Sequence, residues 1–165
     1  MNRDQLSNAH HNRGISLIEV VVGVSIMAFV LLFLLLTMTL FLETRAKILN
    51  DTKSLYLAEE GIEVLRHVRD DNWNDIAGLT IDTPHFLSIS TTSIAITSTP
   101  EVIDGGWQRE VVFHELYRDS ATDDVVASTT GGSYVDTDGR VAIVRVGYAG
   151  STTTVQTILT NLFDI

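Results

Sequence analysis

Between Glu19 and Glu43 the sequence reads VVVGVSIMAFVLLFLLLTMTLFL, about 23 residues without a charge. As one α-helix rising about 1.5 Å per residue, this run spans about 35 Å, more than the roughly 30 Å hydrocarbon core of a bilayer. A helix apolar on every side has no face to present to water, so one transmembrane helix near the start of the chain is expected. Some 120 residues follow, punctuated by Gly, Thr and Asp, enough for a small core of their own.

Charge divides the chain in the same way. The net charge is −10, and the whole excess of acids lies beyond Leu42, because Asp4 and Glu19 before it are balanced by Arg3 and Arg13. A surface of that sign repels phosphate backbones, so no nucleic-acid partner is expected. Arg3 and Arg13, with His10 and His11, place the short leader in the cytoplasm by the positive-inside rule, with the C-terminal part outside. Arg45, Lys47 and Lys53 lie just past the other end of the run and oppose that assignment. Cysteine is absent, which excludes disulfides and thiolate metal sites. The exported part is therefore held by its core, by packing on the helix or by neighbours.

The leader is not an ordinary secretory signal, since the apolar run is too long and no small-residue cleavage pattern closes it. The candidate processing point lies before the run, at Gly14. An acid inside a spanning helix costs about 2.5 to 3.5 kcal/mol at the bilayer centre, less near the interface, and so calls for a partner. Cleavage after Gly14 would create an α-amino group on Ile15, four residues ahead of Glu19. On one helix the two groups lie about 6 Å apart along the axis. Between staggered parallel helices, the amine of one subunit can meet the carboxylate of the next, and breaking such a pair strands a buried ion. The competing reading is a plain signal anchor with an incidental Glu.

RGISLIEVVVGVSIMAFVLLFLLL (residues 13–36) resembles the class III signal of type IV prepilins and type II secretion pseudopilins: a short basic leader, Gly, a hydrophobic residue, then Glu at the fifth mature position. The resemblance implies Gly14 as the cut site, Ile15 as the N-methylated first residue and Glu19 as the assembly acid. It implies as partners a prepilin peptidase, other pilin or pseudopilin subunits, an inner-membrane assembly platform, and membrane lipid before assembly. Two positions depart from the family's habit: Ile15 stands where Phe is commonest, and Leu36 replaces the helix-kinking Pro of many major pilins.

The helix is expected to continue past the membrane. From Glu43 to Arg69 there is no Pro, and Ile48, Leu55, Ala58, Ile62 and Leu65 recur at spacings that predict one apolar face. Asn50, Asp51, Lys53, Glu59, Glu60, Glu63 and Arg66 take the other side. Gly61 weakens the helix by about 1 kcal/mol relative to Ala, a tolerable cost where a strand packs closely. Arg66, His67 and Arg69 suit the negative end of the helix dipole, and the acids after them do not, so the helix ends near RDDNWND. A coiled coil over this stripe would have too few heptads.

Beyond Trp73 the period changes. Segments 86–99, 107–118, 140–150 and 151–163 are rich in Val, Ile, Thr and aromatics, as strands are. Asp104-Gly105-Gly106, Gly131-Gly132 and Asp138-Gly139 supply turns, and Ala149-Gly150-Ser151 suits a hairpin between the last two strands. The fold expected is α+β, a long N-terminal helix packed on a small antiparallel β-sheet domain, the pilin-like architecture that the resemblance also implies. Four segments follow: a cleaved cytoplasmic leader over 1–14, a transmembrane and filament-core helix over 15–42, its amphipathic continuation over 43–72, and an extracytoplasmic β-rich domain over 73–165.

Other candidate chemistry is sparse. Asp136 and Asp138, in DTDGR, begin like a calcium loop, but Gly147 stands where the bidentate Glu belongs. The alternative there is a polar β-turn between strands. No G-x-S-x-G, H-E-x-x-H or P-loop is present, and His114 between Phe113 and Glu115 reads as a half-exposed strand residue. Asn50-Asp51-Thr52 matches a glycosylation sequon inside a predicted helix. Trp73 and Trp107 border apolar segments and read as core anchors. No catalytic residue and no cofactor are expected. The functional expectation is a non-enzymatic filament subunit of a type IV pilus or type II secretion pseudopilus, in the inner membrane and then in an extracellular or periplasmic filament. The alternatives are a minor tip or adhesion subunit whose β domain binds a partner, and a single-pass anchored ectodomain.

Overall fold

A computed structural model of the chain describes residues 16–90, 93–103 and 105–162. In chain order the elements are α1 (Leu17–Asp71), α2 (Asn74–Ala77), β1 (Pro84–Ile89), β2 (Ile94–Thr97), β3 (Glu101–Ile103), β4 (Trp107–Asp119), β5 (Ser133–Tyr148) and β6 (Ser151–Thr160). The chain divides between Ala46 and Lys47 into two compact units.

In the first unit, residues 17–46 are helical and every side chain is exposed. Leu17–Asp71 contains a window of mean hydropathy 2.9 with none of it buried, a helix long and apolar enough to cross a membrane. Its few hydroxyls are turned inward: Ser25 Oγ donates to the Val21 carbonyl at 2.7 Å, and Thr37 Oγ1 to that of Phe33 at 2.8 Å. Each thereby satisfies its donor within the helix, which an apolar surrounding requires.

The second unit is a six-stranded antiparallel sheet of order β2-β1-β4-β5-β6, with β3 pairing on β4. The last part of α1 packs on it through Ser54, Ala58, Gly61, Ile62, Val64, Leu65 and Val68. From the sheet, Leu87, Trp107, Val111, Phe113, Ala142, Val144, Val146 and Leu159 complete the core. The strand period of two aims these residues at the helix: Trp107, Val111 and Phe113 share one face of β4, and Ala142, Val144 and Val146 one face of β5. At Gly61 helix and sheet come close together. A Cβ on it would stand 3.0 Å from Val144 Cγ1 and 3.1 Å from Arg109 Cδ, the close strand approach that its place in the helix anticipates.

Four local expectations change. Ala58, Ile62 and Leu65 are buried as their spacing suggested, but Ile48 and Leu55 are 58% and 44% exposed, so the buried stripe starts later than expected. Segment 86–99 forms two short strands paired from Phe86↔Thr97 to Ile89↔Ile94, and Glu101–Ile103 adds a short strand on β4. Strand β5 begins at Ser133, so residues 136–140 make no turn between strands. They form a bulge within β5, where the register steps from Leu116↔Asp136 to Glu115↔Arg140. Gly139 is buried there, and a Cβ on it would overlap the Leu116 side chain. The predicted hairpin is present, with Tyr148↔Ser151 closing the β5–β6 turn.

Candidate functional site

Of the processing and assembly residues, Gly14 and Ile15 lie outside the described residues, and Glu19 lies in the first turn of α1. Its amide donates to the Ser16 carbonyl at 2.9 Å, and the Val20 amide reaches the same oxygen at 3.3 Å. The side chain is exposed, and among the described residues no cation comes within ion-pair distance of its carboxylate. A negative group in a first helical turn is favoured by the helix dipole, typically by about 0.3 to 1 kcal/mol. That is less than the cost of burying an acid in hydrocarbon, so the dipole alone does not repay its position at the head of the apolar run.

The other sequence candidates scatter over the second unit. The Asp136 carboxylate is taken by Arg118, whose Nε donates to Oδ2 at 2.6 Å, and Asp136 Oδ1 accepts the Asp138 amide at 2.9 Å. Asp138 is exposed, and among the described residues no group of three or more His, Cys, Asp or Glu side chains is placed to hold a metal ion. His114 is half-buried, its Nδ1 against the Asp82 carboxylate. Trp107 is buried and stacks on Tyr148, ring centroids 4.1 Å apart, and Trp73 is partly buried against the same core. Asn50 of the sequon is in α1.

Two arginines organise the second unit in ways the sequence reading passed over. Arg109 is 1% exposed beneath α1. Its Nη1 donates to the Leu57 carbonyl at 3.0 Å and to Glu60 Oε2 at 2.9 Å, tying helix to sheet through a buried charge. Its parity with Trp107, Val111 and Phe113 was the available signal. Arg118 pins the β4–β5 connection, reaching the Asp123 carbonyl at 2.8 Å as well as Asp136, and the hydrogen bond to Asp136 holds its guanidinium pKa above the ordinary value. Around it, Tyr134 donates to the Asp123 carboxylate and Tyr117 to that of Glu115, and these hydrogen bonds raise both phenol pKa values.

Asp82, His114, Glu115 and Tyr117 line one open groove of about 490 Å³, but their polar groups are engaged with one another, and the segment ahead of and within the apolar helix is the stronger functional candidate. A family model, the prokaryotic N-terminal methylation motif, matches residues 9–35. No curated protein and no solved structure matches the chain. The matched stretch contains Gly14, Ile15 and Glu19 and most of the run that is apolar enough to anchor the chain in a membrane. The chain carries the N-terminal signal of type IV pilins and pseudopilins, which implies processing by prepilin peptidase and assembly with other pilins.

Proposed function

We propose that the chain is a non-enzymatic structural subunit of a type IV pilus or type II secretion pseudopilus, stored in the inner membrane and then drawn into a filament. The observation that carries this reading is the methylation motif at residues 9–35 leading into a helix exposed on every side. A surface of that kind is stable in lipid before assembly and against like helices afterwards, and residues 15–42 would supply the filament core. Prepilin peptidase would remove residues 1–14 and methylate Ile15. The new amine of one subunit would pair with Glu19 of its neighbour, so that a subunit out of register leaves an ion unpaired in low dielectric. Residues 43–72 would carry the β-rich domain, outside the cytoplasm, to the filament surface. Leu36, where many major pilins kink their helix at Pro, favours a minor subunit.

Intact-mass analysis with and without prepilin peptidase tests the reading. Expected is loss of Met1 to Gly14 and gain of one methyl group on Ile15, both dependent on the peptidase. A chain that keeps its original start in the presence of the active enzyme, yet enters filaments, overturns it. Glu19→Ala should be cleaved normally but join filaments poorly, and normal incorporation would remove the pairing mechanism alone.

A further inference from the structure

The two edges of the sheet are built differently. On one side β2 and β3 are four and three residues long, and Pro84 and Pro100 stand at the starts of β1 and of the β3 approach. Short edge strands and prolines are the usual guards against an added strand. On the other side β6 runs ten residues, STTTVQTILT, with no proline and no charge. Among the described residues its strand partner is β5 alone.

The turn before β6 fixes which backbone groups are spare. Ala149 and Gly150 both have positive φ, 47° and 82°, as in a type I′ hairpin. Tyr148 and Ser151 are then the hydrogen-bonded closing pair, and alternate residues after Ser151 bond to β5. Thr152, Thr154, Gln156, Ile158 and Thr160 direct their amides and carbonyls at the open edge.

Beside that edge, on the helix side of the sheet, runs an open groove of about 540 Å³ between α1 and β6. Tyr56, Ile62 and Val155 make its apolar part, and Glu59, Glu60 and Glu63 its acidic rim. The local cations are already engaged, Arg66 with Glu63 and Arg109 with Glu60. A strand laid along β6 at the usual spacing of about 4.8 Å places alternate side chains over this groove. We infer that β6 accepts, by strand addition, an extended segment of a partner protein whose groove-facing residues alternate apolar and basic. Its backbone takes the spare positions, its apolar side chains meet Ile62 and Val155, and its lysines or arginines meet the glutamates. A second copy of this chain is a poor occupant, since its β6 brings no basic residue and each copy carries a net charge of −10.

The test uses the full chain in nanodiscs and a synthetic peptide, Lys-Thr-Val-Thr-Lys-Thr-Val-Thr-Lys, with a control carrying Glu at every Lys. Amide hydrogen exchange is followed along β6. Expected is slower exchange at Thr152, Thr154, Gln156, Ile158 and Thr160 with the lysine peptide and no change with the control. Glu59→Lys combined with Glu63→Lys should weaken the response about tenfold. Gln156→Pro removes an edge-facing amide outside the β5 ladder and should abolish it with the unfolding midpoint kept. A peptide N-methylated on its pairing amides should also fail, which tests strand addition without altering the protein. Equal response to both peptides, response to the N-methylated peptide, or no slowing at the edge amides overturns the inference. Slowing that grows with protein concentration in the absence of peptide identifies a second copy as the occupant and overturns it as well. None of these outcomes bears on the filament reading, which rests on residues 9–35.

Discussion

The two stretches of α1 obey the same backbone geometry and opposite rules of side-chain placement. From Leu17 to Ala46 large apolar residues point in every direction, Leu32 and Leu35 being 58% and 62% exposed. From Lys47 to Asp71 the apolar residues that matter lie on one side, where Ala58 and Leu65 are fully buried and Gly61 lets the strands approach. Among the described residues the first stretch has no partner within its own unit, and it is suited to lipid or to other helices. The second is held by a sheet of its own chain. Helix propensity barely separates them; what differs is whether the apolar surface is satisfied within the subunit or only outside it.

The largest contrast should come from one substitution made in each stretch. Leu65→Ala empties a site with no solvent access, and is expected to destabilise the second unit by about 3 kcal/mol. Leu35→Ala should leave that unit's stability unchanged. Trp73 and Trp107 are the chain's two tryptophans and both lie in the second unit, so fluorescence during urea unfolding in detergent reports on that unit alone. Equal effects of the two substitutions would erase the distinction.

Glycine sharpens it. A side chain at Gly61 would press on Val144 and Arg109, so Gly61→Leu is expected to cost the second unit about 2 kcal/mol by overpacking. Among the described residues, beyond its chain neighbours and its own helix backbone, nothing lies within 4 Å of a Cβ placed on Gly23, so Gly23→Ala should only raise local helix stability, by up to about 1 kcal/mol. Slower amide exchange around Gly23, beside a lowered urea midpoint for Gly61→Leu, is the expected pair of results.

A smaller effect is expected where the buried charge joins helix to sheet. Glu60→Ala takes the Glu60 carboxylate away from the buried Arg109, which keeps the Leu57 carbonyl among its other partners. Removing one partner of a fully buried pair costs about 3 to 5 kcal/mol. Because Glu60 is 53% exposed, about 1 to 2 kcal/mol is expected here. Arg109→Met should cost less than Glu60→Ala, since Glu60 then simply returns to water. The reverse order, read from the same urea midpoints, would mean that the guanidinium finds sufficient acceptors without Glu60.

How much of this was legible in the sequence follows the same division. The apolar run, the motif around Gly14 and Glu19, and the helix end near Asp71 are local signals, carried by composition and spacing alone. The β5–β6 hairpin was legible too, because Ala149-Gly150 is a turn wherever it falls between two strand-like runs. The buried face of α1 was legible at Ala58, Ile62 and Leu65 but not in its extent. Ile48 and Leu55 fit the helical period as well as Ala58 and Leu65 do, and which of them is covered depends on where the sheet ends. The bulge at residues 137–139 was hidden for a related reason: Asp-Gly reads as a turn unless the strand on either side is known to keep pairing with β4. Arg109 was passed over because an arginine in a core is rare, although its place in the alternation of β4 matches that of Trp107, Val111 and Phe113.

The smallest expected effect is alkaline, and it too belongs to one unit only. Between Glu19 and Glu43 the helix carries no titratable side chain, whereas the second unit holds Tyr117 and Tyr134, each donating its hydroxyl to a carboxylate. Those hydrogen bonds raise both phenol pKa values above the ordinary 10.0. A proton held more tightly in the folded than in the unfolded chain stabilises the fold fully below the unfolded value. That contribution is lost as pH climbs through the raised folded value. Tyr117→Phe combined with Tyr134→Phe should therefore lower the urea midpoint slightly at pH 8 and flatten its decline above about pH 10 relative to the parent chain. Both tyrosines are partly open to solvent, so the slope difference is small, and repeating the titration at high salt should leave most of it in place, because hydrogen bonds rather than distant charges are its first cause. An unchanged slope in the double variant would assign the alkaline loss to groups other than these two phenols.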